Sequence, residues 1–109
     1  MSELEKRIYT LIPQGIELKI TTRELASITN MNTRTIRDII NRLIKKHKVP
    51  ICAIRTGHTD DRGLFIATNE EELELGTREF KQQIADMTAR LNAIQQAKFN
   101  VEEGKHEGK

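Results

Sequence analysis

Between residues 33 and 47, Ile36, Ile39, Ile40, Leu43 and Ile44 recur at spacings of three and four. On a helix of 3.6 residues per turn, that spacing puts all five on one face. A stripe of this kind has to be laid against other apolar surface, so this segment is the expected centre of the core. The material left to surround it is limited. The chain has 109 residues and only four aromatic ones, which fits one small domain with a thin aliphatic core plus an appendage. A large apolar substrate cavity is not expected of such a core.

Flanking elements follow from caps and breakers. Ser2 and Glu5 form a capping-box pair, and Leu4, Ile8, Leu11 and Ile12 share a helical face, which predicts a first helix over about residues 3–12. Pro13 and Gly15 end it, and the alternation of Ile16, Leu18 and Ile20 with Glu17 and Lys19 predicts a short strand. Thr21 and Glu24 form a second capping box, opening a short helix with Leu25, Ala26 and Ile28 inward. Asn30 suits the left-handed position of a tight turn, and Asn32 can cap the helix that carries the isoleucine stripe. After Pro50 the runs ICAIR and GLFIA, separated by TGHTDDRG, predict a hairpin with a long loop. Asn69 followed by Glu70, Glu71 and Glu72 opens a long helix to about residue 98, Glu72 being the capping-box glutamate and Gly76 a possible point of kinking. The polar tail, residues 99–109, is expected to be disordered.

Charge divides along the same lines. The net +2 conceals +5 over residues 1–69 and -3 over residues 70–109, and residues 19–55 alone carry nine basic and two acidic side chains. Such a surface attracts polyanions, although a solvated helix face has the same composition. The stretch TRELASITNMNTRTIRDIIN, Thr22 to Asn41, closely resembles the twenty-residue pattern of helix-turn-helix proteins. Ala26 stands where the two helices cross too tightly for a larger side chain, Asn30 takes the turn position usually held by Gly, and Leu25, Met31, Ile36 and Ile39 fill the apolar positions. Thr29 departs from the pattern, which prefers a hydrophobe there.

The order of elements over residues 3–69 resembles a winged helix-turn-helix, and more narrowly the small winged-helix proteins of phages and mobile elements. The resemblance implies a mostly α fold with a small antiparallel β-sheet, followed here by a long C-terminal helix. It implies a DNA-binding domain over 1–69, to which the heptad spacing described below adds an expected dimerisation helix over 70–98, followed by the polar tail.

The expected function is sequence-specific binding of double-stranded DNA, as a dimeric transcriptional regulator or a replication-associated DNA binder. The alternative is a winged-helix adaptor that binds proteins, suggested by the acidic run Glu70–Glu74 and the acidic wing tip. Asn32, Thr33, Arg34, Arg37 and Asn41 are the candidates for base contacts, with Asp38 able to orient Arg34 or Arg37. Thr21, Thr22, Arg23, Lys45, Lys46, Arg55 and Arg62 are the candidates for the backbone or the wing, with Lys48 beyond them. The wing is either a DNA-contacting or a purely structural hairpin. In the long helix, Leu73, Thr77, Phe80, Ile84, Met87, Leu91 and Ile94 alternate at steps of four and three, a heptad seam. Phe80, Ile84, Met87, Leu91 and Ile94 are the expected homodimer interface.

Other classes find less support. His47, Cys52 and His58 match no common zinc spacing and lack a fourth ligand. There is no phosphate loop and no nucleophile motif, and Asp60–Asp61 lacks apolar surroundings to tune a carboxylate pair. The sequence therefore reads as non-enzymatic, with no cofactor, metal or small-molecule substrate. The lone Cys, the charged N-terminus MSELEKR and the absence of any run long enough to span a membrane predict a cytoplasmic protein.

Overall fold

A computed structural model of the chain describes residues 1–58 and 61–106, with side chains described through Ala97. Its elements in chain order are the helices α1 (Glu3–Leu11), α2 (Thr22–Thr29) and α3 (Thr33–Lys45), a two-stranded hairpin of β1 (Ile51–Ile54) and β2 (Gly63–Ile66), and the helix α4 (Glu70–His106). The architecture is thus mostly α with a small antiparallel sheet and a long C-terminal helix. Each of the first three helices begins where a side chain satisfies its exposed N–H groups. Ser2 Oγ accepts from Glu5 N at 3.1 Å, Thr21 Oγ1 accepts from Glu24 N at 3.0 Å, and Asn32 Oδ1 accepts from Thr35 N at 2.8 Å. Two of the three expected capping boxes are closed, since Glu5 and Glu24 reach back to the N–H groups of Ser2 and Thr21.

α2 stops at Asn30, which has φ 58° and ψ 36°. This left-handed geometry reverses the chain within two residues, and Asn bears it at less cost than any other residue but Gly. The isoleucine stripe of α3 then lies across α1 and α2. Ile36, Ile39 and Leu43 are fully buried together with Ile8 of α1 and Leu25 of α2, and Ile40, Val49 and Ile66 complete the cluster. Each such side chain contributes about 1.5–3 kcal/mol by leaving water, so α3 is the element around which the others are arranged.

Ile28, expected to face inward, is 54% exposed, whereas Thr29 is buried. Leu25 and Thr29 are four residues apart and share a face, while Ile28 is turned about 60° from Leu25 at 100° per residue. Thr29 tolerates the apolar site because its hydroxyl donates to the Leu25 carbonyl at 2.6 Å.

The strand expected over residues 16–20 does not form. Of that segment Ile20 meets β2, exchanging two hydrogen bonds with Leu64 at 3.0 and 2.7 Å, and just ahead of it Gly15 N donates to Ile66 O at 2.8 Å. Gln14 and Ile20 are six residues apart in sequence, while their partners Ile66 and Leu64 are two apart. The surplus must loop outward, which leaves Leu18 exposed.

α4 begins as expected at Asn69, whose Oδ1 accepts from Glu72 N at 2.8 Å. Glu72 does not return to Asn69, however. Its carboxylate accepts from Thr68 N at 2.8 Å, Thr68 Oγ1 at 2.7 Å and Ile16 N at 2.9 Å, joining the first turn of α4 to the 13–20 loop. One turn later, Gly76 neither kinks nor ends the helix but is buried in it. A Cβ at Gly76 would lie 2.4 Å from Cys52 Cβ and 3.0 Å from Phe65 Cζ, so the hairpin and α4 approach as closely as a missing side chain allows. The first compact unit accordingly runs Met1–Thr77 rather than closing at residue 69, and Arg78–Lys109 forms the second.

The helix does not end near residue 98. It continues through His106, across most of the tail expected to be disordered, and residues 107–109 lie outside the described residues. No Pro follows Gly76, and a single Gly104 costs a helix only about 1 kcal/mol.

Gly76 separates two opposing effects. Helix propensity alone predicts that Gly76→Ala stabilises the fold by about 1 kcal/mol. The contact with Cys52 predicts the opposite, because an added methyl in a closed site costs about 1–3 kcal/mol. A lower urea midpoint for Gly76→Ala is the expected outcome, and a raised midpoint would show that Cys52 and Phe65 move aside freely.

Candidate nucleic-acid interface

Burying Ile36, Ile39, Ile40 and Leu43 leaves the opposite side of α3 to solvent, where Arg34, Arg37, Asp38, Asn41 and Lys45 are all exposed. Their spacings of three, one, three and four make them one continuous stripe along a helix about 20 Å long. Thr33 is half-buried at its start, and Lys46 lies just past its end. Among the described residues Asp38 has no ion-pair partner, so the expected pairing with Arg34 or Arg37 does not form. An exposed pair is worth only about 0–1 kcal/mol, too little to hold two long side chains together.

Asn32 has a narrower role than expected. A two-point contact with adenine needs both the amide oxygen and the amide NH₂, and the oxygen of Asn32 is engaged as the cap of α3. Within this stripe, Asn41 is the asparagine whose amide can make both contacts.

Arg42 belongs to the basic run in sequence but to a different site in space. Its Nε donates to the Glu5 carboxylate at 3.1 Å, and His47 Nε2 lies 3.3 Å from the other carboxylate oxygen. With the Ser2 N–H at 2.7 Å, three groups converge on a carboxylate that is 5% exposed. The Ser2 hydrogen bond is the largest influence on its acidity, and with Arg42 and His47 it outweighs burial and holds the Glu5 pKa at about 2, against an ordinary 4.5. The clamp fastens the C-terminal end of α3 to the first turn of α1. Sequence reasoning took Glu5 for a capping residue alone. The missed signal was its spacing: Glu5, Ile8 and Ile12 share a helical face, and an acid within an apolar stripe requires a cation.

A second group of candidates meets between the start of α2 and the hairpin. Thr21, Thr22, Arg55, Arg62, Gly63 and Leu64 line a shallow groove of about 320 Å³ together with Ala53 and Ile54. Arg62 is held there by donating from Nε to the Gly57 carbonyl at 3.2 Å. Gly63, at φ 139°, lets β2 pass within van der Waals contact of Lys19 and Ile20, where a side chain would collide. Arg23 is exposed on the first turn of α2. Asp60 of the wing tip lies outside the described residues.

His47, Cys52 and His58 are not brought together. His47 sits on Glu5, Cys52 is buried against Gly76 with its thiol pushed up chiefly by desolvation, and His58 is exposed in the hairpin loop. Among the described residues no three His, Cys, Asp or Glu side chains converge on a metal-sized site, and no helix is long and apolar enough to cross a membrane. Comparison with protein-family models, curated proteins and solved structures finds no significant match.

The depressed acidity of Glu5 fixes a pH dependence. A carboxylate with a lowered folded-state pKa contributes stability that is fully present above its unfolded value and is lost as pH falls through the folded one. The window for Glu5 is therefore about 4.5 down to about 2. Glu72, lowered first by the Ile16 N–H and then by Thr68, acts with the same sign. The thermal midpoint is expected to fall across this window, and Glu5→Gln to lower the midpoint at neutral pH while flattening the acid decline. An acid decline unchanged in Glu5→Gln would remove the clamp from the account of stability.

Proposed function

We propose that the Met1–Thr77 unit binds double-stranded DNA sequence-specifically, with α3 in the major groove and the α2–hairpin groove against the phosphate backbone. The observation that carries this reading is the exposed stripe of Arg34, Arg37, Asn41 and Lys45 on a helix whose opposite face is the core. Arg pairs bidentately with guanine and Asn with adenine, and both need a rigid helix that fits the groove. The left-handed Asn30 and the small Ala26 give the α2–α3 turn the geometry that helix-turn-helix proteins use, which supports the winged-helix resemblance. In this reading Arg34, Arg37 and Asn41 read bases, Thr33 and Lys45 flank them, and Thr21, Thr22, Arg23, Arg55 and Arg62 hold the backbone, with Lys46 at the edge.

Such a protein acts as a transcriptional regulator or a replication-associated DNA binder of a phage or mobile element. It works in a reducing cytoplasm, where its lone thiol stays unpaired. The adaptor reading drew on the acidic run Glu70–Glu74, and it is weakened because Glu72 is engaged in holding the fold together.

Selection from a random duplex pool supplies the preferred site on which variants are compared. Arg34→Ala and Arg37→Ala should each cost about 1–3 kcal/mol on that site and far less on random DNA, while Lys45→Ala should weaken both alike and lower the salt slope by about 1. Equal losses on both DNAs would reduce the arginines to phosphate contacts. An affinity independent of salt, or no selected sequence at all, would overturn the assignment.

A further inference from the structure

Along α4, Phe80, Ile84, Met87, Leu91 and Ile94 are 54–61% exposed among the described residues. Scattered apolar side chains are ordinary on a protein surface, but five in one row are a contact face. Their spacings of four, three, four and three repeat every 3.5 residues on average, the period at which two helices can stay in register by supercoiling. Each side chain leaves roughly 100 Å² in water, so two copies joined along the row remove on the order of 1,000 Å², the threshold of a specific interface.

We propose that a second copy of this chain covers the stripe, in a parallel, in-register two-stranded coiled coil. The count of seam positions selects the orientation. Ile84 and Leu91 occupy one kind of core position, and Phe80, Met87 and Ile94 the other. An antiparallel pair layers one kind against the other, so two against three always leaves one large side chain without an apolar counterpart. A parallel pair layers like against like, and all five are matched. The flanking positions agree, since parallel pairing sets Gln83 opposite Thr88 and Arg90 opposite Gln95 of the second copy, with no like charges facing. The isologous twofold of such a dimer is the symmetry of a palindromic site. The pairing itself stands without DNA binding.

Sedimentation equilibrium of the full chain at tens of micromolar should give twice the 12.5 kDa chain mass. Leu91→Glu should return a single chain mass with its helical circular dichroism signal reduced by no more than the loss of the coil. Ile94→Cys should form a covalent dimer under mild oxidation, because parallel in-register helices bring this position within disulfide reach of itself, whereas the best-matched antiparallel pairs part it by roughly 15 Å or more along the axis. Cys52, 4% exposed, contributes no background. A parent of single mass, including one that pairs only with a different protein, or a Leu91→Glu variant that keeps the doubled mass, overturns the proposal. A dimer that never cross-links through Ile94→Cys overturns the parallel register. A dimer that binds no DNA leaves this inference intact and removes the preceding one.

Discussion

The orientation of α3 depends on a single buried carboxylate. Hydrophobic contact is non-directional, and the isoleucine stripe alone would let α3 slide or rotate by a fraction of a turn against α1 and α2. Glu5 removes that freedom, because its two oxygens receive the Ser2 N–H, Arg42 and His47 from different parts of the chain. A side chain that reads a base edge must be placed to within about half an ångström. The clamp grips α3 at its flank through a half-exposed Arg42, and in the proposed role it fixes where the far side presents Arg34, Arg37 and Asn41.

A second set of polar and steric contacts closes the other end of the unit. Glu72 gathers Thr68 and the 13–20 loop, and Gly76 admits Cys52 and Phe65 where any larger residue would hold them off. The first two turns of α4 are therefore part of the Met1–Thr77 unit. Hairpins of two short strands are marginal by themselves. This one is supported through β2 by the 13–20 loop and through Cys52 and Phe65 by α4.

What could be read from sequence was what local chemistry decides. Ser2–Glu5, Thr21–Glu24 and Asn32 announce helix starts because each cap is satisfied within four residues, and Asn30 announces its turn because few residues accept its backbone angles. The isoleucine period of α3 places the core and, by subtraction, the exposed Arg34, Arg37 and Asn41. Most of the misses involve distant partners. Glu72 looks like a capping residue until Ile16, 56 positions away, competes for it. Ile16, Leu18 and Ile20 alternate like a strand, but β2 offers them too short a track. Gly76 resembles a helix breaker because nothing nearby in sequence reveals the hairpin pressed against it. Thr29 departs from the helix-turn-helix pattern in sequence, yet its hydroxyl finds a carbonyl one turn back.

The close seating of Cys52 on Gly76 also governs how this chain ages. A thiol reacts with oxidants and electrophiles as its thiolate, and burial opposes that form. A methyl at Gly76 would already collide with this sulfur, so a sulfenic oxygen has no room on the side that faces α4. Reaction at Cys52 must therefore wait for the first turns of α4 to lift from the hairpin, an opening whose free energy is set by local contacts rather than by global unfolding. The lone thiol is in effect a clock for that motion: every modified molecule records one excursion of α4 away from β1.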